Sequence, residues 1–182
     1  MSLDAQHPGL RQFCLVLRIV VAAVGAGPTI FLIVANSSRG AGQVEPALGI
    51  VLVALLATAV PVWFVVPPLI IRNVRRQILR GAASTKPLPL PLSILFTDKD
   101  EPVGRLLAAY QAATLLRVAI LEGPSFYAVV LYMLHGSPLY AGVAAVLVVL
   151  IFLHFPSPSR IAAWVERQQR LIDDDRLLGL DR

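Results

Sequence analysis

Cys14 is the only cysteine in 182 residues. One thiol excludes an internal disulfide and any paired-cysteine metal site. Charge is scarce as well, at 15% of residues against about 25% in a soluble domain. His135 and His154 stand at opposite ends of one apolar run, without acidic residues at ligand spacing, so both are expected at an interface and no metal centre is expected. No GxSxG or HExxH pattern occurs, and no histidine supports the hydroxyls of Thr114 or Ser125 as nucleophiles. No catalytic residues, cofactor site or metal site are therefore expected, and an enzyme is not.

What is present is apolar. Hydrophobic residues make up 57% of the chain, above the roughly 45–50% of soluble proteins. They gather in the runs Phe13–Ala35, Ala47–Ile71, Gln111–Leu134 and Leu139–Phe155. About 20 helical residues at 1.5 Å each cross a ~30 Å hydrocarbon layer, so the first three runs are long enough and the fourth is at the short end. The run beginning at Phe13 outlasts the ~7–15 residues of a signal-peptide core, so it reads as a retained first span. The expected fold is all-α and polytopic, with four transmembrane helices forming two hairpins and amphipathic helices on the cytoplasmic side. Residues 1–182 would form a single membrane domain, with 72–110 as a cytoplasmic linker and helix extension and 156–182 as an interfacial helix and tail.

The basic residues set the orientation. Arg72–Tyr110 holds seven Lys or Arg and the stretch after Phe155 holds five, whereas the first loop holds only Arg39 and the His135–Pro138 loop none. That bias places both termini and the middle segment in the cytoplasm of a bacterial-type inner membrane. The net charge of +5 then serves anionic headgroups rather than nucleic acid. The expected partners are the lipid bilayer and a larger membrane complex or further copies of the chain.

Prolines mark the helix geometry. Pro28, Pro61 and Pro124 fall inside apolar runs, where each removes an N–H and favours a kink. Pro67 and Pro68 are expected to end or break the second span. Beyond them, Arg72, Arg75, Arg76 and Arg80 around Val74 and Ile78 read as a helix along the membrane surface. STKPLPLPLS reads as an extended linker. Asp98, Asp100, Glu101 and Pro102 suit a helix start. Ser157 or Ser159 should cap the last helix, whose apolar face is expected to comprise Ile161, Trp164, Val165, Leu171 and Ile172. Its acidic end, Asp173–Asp175, is expected to be solvated.

Three charges lie within the spans: Arg18, Arg117 and Glu122. A charge near mid-membrane costs about 2.5–3.5 kcal/mol on insertion scales, so it needs a partner or a task. Arg117 lies five residues before Glu122, about 140° round a helix and poorly placed to pair with it. Arg18 enters from the same side and is the better partner. Glu122 is thus a structural tie to Arg18 or Arg117, a proton or cation relay, or a contact to another subunit.

The halves echo each other. LVLRIV and GPTIF of the first span match TLLRVA and GPSFY of the third, and each half ends in a proline cluster and a basic amphipathic segment. This reads as a duplicated hairpin, or as chance likeness between apolar sequences. The segment LEGPSFYAVVLYML also resembles the carboxylate-bearing helix of the rotor-ring proteolipids of rotary ATPases. In that family the carboxylate is on the second helix of a hairpin and a glycine ladder on the first. Here it is on the first helix, and the loop lacks the family's polar signature, so no function is carried over. The expected function is a non-enzymatic structural or accessory membrane component, with a proton- or cation-coupled transporter using Glu122 as the alternative.

Overall fold

The computed structural model describes residues 9–38, 46–79 and 102–178. Of these, 94% are helical and none is in a strand, so the fold class is all-α. The helices are α1 (Gly9–Ser37), α2 (Pro46–Leu79), α3 (Pro102–His135), α4 (Pro138–Leu153) and α5 (Pro158–Leu177). All but the first open on proline, whose fixed φ and missing N–H suit the first helical position. The proline-leucine linker, Arg80 and the acidic residues before Pro102 lie outside the described residues.

Three helices, α1, α2 and α3, are long and apolar enough to cross a membrane, and a fourth crossing is added if α4 and α5 count as one bent span. α4 has 16 residues, roughly 24 Å. The helix ends at Leu153, two residues short of the expected span. α2 corrects a second expectation, because it runs unbroken through Pro61, Pro67 and Pro68 to Leu79. A proline removes only one helical hydrogen bond, and without water to satisfy freed backbone groups the remaining bonds are costly to give up. α1 and α3 likewise continue through Pro28 and Pro124.

The chain divides into two compact units. The first comprises residues 1–18, 66–114 and 156–182, the second residues 19–65 and 115–155. Among the described residues, only Arg117 of the basic and only Glu122 of the acidic side chains fall in the second unit. Among its described residues, Arg117 and Glu122 are therefore the only charged side chains besides histidine.

In the first unit, α5 turns Ile161, Val165, Gln168 and Ile172 inward. That stripe follows i, i+4, i+7 and i+11, so it takes in Gln168 and leaves Leu171 exposed, unlike the expected face. Trp164 packs on Tyr110 at 5.1 Å between ring centroids. Ser157 is the N-cap, its Oγ accepting from the Arg160 amide at 3.3 Å. Asp175 meets Arg75 Nε at 3.2 Å and Asp173 meets Arg176 at 3.8 Å, so the acidic end is paired rather than merely solvated. The buried Val74 and Ile78 of α2 separate its basic positions as the spacing requires.

In the second unit two buried clusters hold the helices together. One joins Ala35, Leu52, Ala128, Val129, Leu131, Tyr132 and Ala144, and the other Val21, Val118, Leu121, Leu147 and Ile151. Gly27 lets α1 approach α3 closely: a Cβ there would lie 2.9 Å from the Phe126 ring. Gly136, at φ 66°, turns the chain from α3 into α4, and its amide caps Tyr132 O at 2.8 Å. Tyr132 donates to Asn36 Oδ1 at 2.9 Å and Tyr127 to Leu48 O at 3.2 Å. The other faces stay apolar and open, as with Ile30, Ile33, Val53, Phe64 and Val149. Only 6% of the residues in the most apolar stretch of α2 are buried, which suits a helix solvated by acyl chains.

Candidate functional site

The site is built on α3, where two charges and a buried hydroxyl fall within nine residues: Arg117, Glu122 and Ser125. The helix places Val118, Leu121, Ser125, Ala128 and Val129 against the rest of the second unit. Ala119, Glu122, Gly123 and Phe126 share the adjoining stripe by their i, i+3, i+4 and i+7 spacing. Ala119 and Gly123 are exposed and Glu122 is half-buried. A Cβ added at Gly123 would meet nothing within 4 Å, so the surface beside Glu122 is open.

Glu122 makes no ion pair and no hydrogen bond with any described residue. Within the second unit, the expected tie to Arg117 is not formed. Arg18 turns its Nε to Pro156 O at 2.8 Å, next to the Cys14 thiol, which donates to the same carbonyl at 3.6 Å. Pro156 thus leaves both lone pairs of its carbonyl to side chains of α1. Arg117 lies over the indole of Trp63, 5.7 Å from guanidinium carbon to ring centroid, within cation–π range. Trp63 in turn meets His154 edge-on at 5.5 Å and Phe64 at 4.6 Å.

The sequence did not point to this Arg117–Trp63–His154 set. Its members lie on α3, α2 and the end of α4, and no local spacing links them. The only hint was an aromatic residue late in a span followed by prolines. His154 follows the last residue of α4, and its Nδ1 lies 2.8 Å from Leu150 O. Arg117 is therefore level with the end of an apolar helix. Glu122 lies five residues further along α3, roughly 7.5 Å. His135 is at the other end, its ring 6.1 Å from Tyr140. Among the described residues no cluster of three potential metal ligands occurs.

The hydroxyls after the two Gly-Pro steps differ. Thr29 Oγ1 donates to Gly25 O at 2.7 Å, whereas Ser125 Oγ, in a residue with 0% exposure, has no partner among the described residues. An unpaired buried hydroxyl lowers stability, and a paired one contributes about 0.5–1.5 kcal/mol. Thr29→Val is accordingly expected to lower stability by about that amount, while Ser125→Ala should leave it unchanged or raise it. Thermal unfolding of the two variants in detergent checks the contrast; equal losses at both positions would contradict it.

No protein-family model matches the chain, and no curated protein or solved structure matches it either.

Proposed function

We propose that the chain is a non-enzymatic accessory or structural component of a larger membrane assembly, docked through the Glu122 face of α3. In this reading it crosses a bacterial-type inner membrane four times as two hairpins, with both termini and residues 72–110 in the cytoplasm. The concentration of Lys and Arg outside the apolar stretches supports that orientation. Glu122 carries the reading: a half-buried carboxylate beside the open surface at Gly123, with no partner among the described residues. A charge within a span is tolerated when something meets it, so a donor from another subunit is the natural complement. Solubilisation in a mild detergent, followed by affinity purification, is expected to recover the chain with a partner or as a defined oligomer. A lone, monodisperse monomer contradicts the reading.

The same carboxylate supports a second reading, a proton- or cation-coupled carrier in which Glu122 is the coupling group. Proteoliposomes separate the two. pH-driven flux that Glu122→Gln abolishes favours the carrier, and its absence with an intact complex favours the accessory subunit.

A further inference from the structure

We infer that Arg117, Trp63 and His154 form a binding site for a phosphate group at the membrane surface. The inference rests on the membrane reading above, but not on the role of Glu122. Arg117 is the only lysine or arginine among the described residues of the second unit. Its Nε is covered and has no hydrogen-bond partner. Its terminal amino groups are not covered in that way, and they bond no described residue. The guanidinium thus has its inner edge shielded and its outer edge available, in a part of the molecule otherwise apolar. A cation in such surroundings calls for an anion, and Glu122 is not that anion.

The geometry selects the kind of anion. Trp63 supports the guanidinium from one face at 5.7 Å, and His154 fixes the indole edge-on from the end of α4. The planar guanidinium carries its N–H donors in one plane, where they match two oxygens of a phosphate. The Trp63 Nε1 donor is also covered and has no hydrogen-bond partner among the described residues. His154 directly follows the last residue of α4, which sets the cluster at the level where lipid phosphates lie. The phosphate can be that of an anionic lipid or of a soluble ion, and these are distinguishable.

Trp63 is itself the reporter, because the chain has only one other tryptophan, Trp164. The full chain carrying Trp164→Phe, in neutral detergent, is titrated with phosphatidylglycerol, the phosphate-free lipid diacylglycerol, or inorganic phosphate, and Trp63 emission is followed. A saturable change with phosphatidylglycerol, weakened about tenfold or more by Arg117→Gln and less by Arg117→Lys, is the expected result. Saturation by millimolar inorganic phosphate alone would support the site with a soluble ligand as its source. Identical responses to the two lipids and none to phosphate overturn the inference, as does unchanged binding in a folded Arg117→Gln variant. Should that variant not fold, the comparison of ligands on the parent chain decides. Failure of the chain to insert into liposomes would instead overturn the membrane reading itself.

Discussion

Glu122→Gln is expected to leave the isolated chain as stable as before, or more so, while abolishing its assembly. The direction follows from the missing partner. A carboxylate that an arginine holds within the same chain contributes to stability, and its neutralisation strands a buried cation at a cost of about 3–5 kcal/mol. Glu122 has no such partner among the described residues, so neutralisation removes a desolvated charge and strands nothing. The gain is bounded by the insertion cost of a central acid, about 2.5–3.5 kcal/mol. In the assembly the sign reverses, since the donor that meets Glu122 would lose its acceptor. Thermal unfolding of the monomer and co-purification of the complex read the two halves separately. A purified monomer whose Tm falls by several degrees would show that the partner lies within the chain after all.

Ile151→Ala is expected to destabilise the chain by about 2–5 kcal/mol, and Val149→Ala by no more than about 0.5 kcal/mol. Ile151 is wholly buried among Val21, Val118, Leu121 and Leu147, and its side chain also closes against Gly25. Truncation there opens a cavity that three helices line. Val149 is 57% exposed on the opposite side of α4, where a methyl group against lipid is nearly equivalent to one against protein. The contrast tests whether α4 is a packed member of the second unit despite its shortness. Equal, small effects at both positions would mean that the helix is only loosely attached. Reversible unfolding in mixed micelles gives both values.

How much of this was legible in the sequence depends on the range of the interaction concerned. Apolar runs gave the helices, and Pro102 marked where α3 begins, because both signals act within a turn or two. The cap at Ser157 and the buried Val74 and Ile78 are local in the same sense. Pro67 and Pro68 misled because a proline is a local signal whose outcome is decided by its surroundings; where broken backbone bonds cannot be replaced by water, the helix continues. Leu171 misled because the inner stripe of α5 follows Ile161, Val165 and Ile172, which leaves Gln168 inside. The pairing of Asp175 with Arg75 and the stacking of Arg117 on Trp63 were out of reach. Each joins residues from different helices, and sequence spacing constrains only neighbours on the same helix. Glu122 stands out in the sequence as a charge within an apolar run, but its lack of a partner among the described residues could be seen only once its neighbours were in place.

The central claim is that the chain threads the membrane four times with its basic segments on one side. Single cysteines in a Cys14→Ser background test it directly, since no other thiol interferes. Ser38→Cys and Ser137→Cys should react with a membrane-impermeant maleimide added to intact cells, whereas Ser84→Cys and Ser159→Cys should react only after the membrane is opened. Labelling of Ser84→Cys from outside, or of Ser38→Cys and Ser84→Cys from the same side, would contradict it.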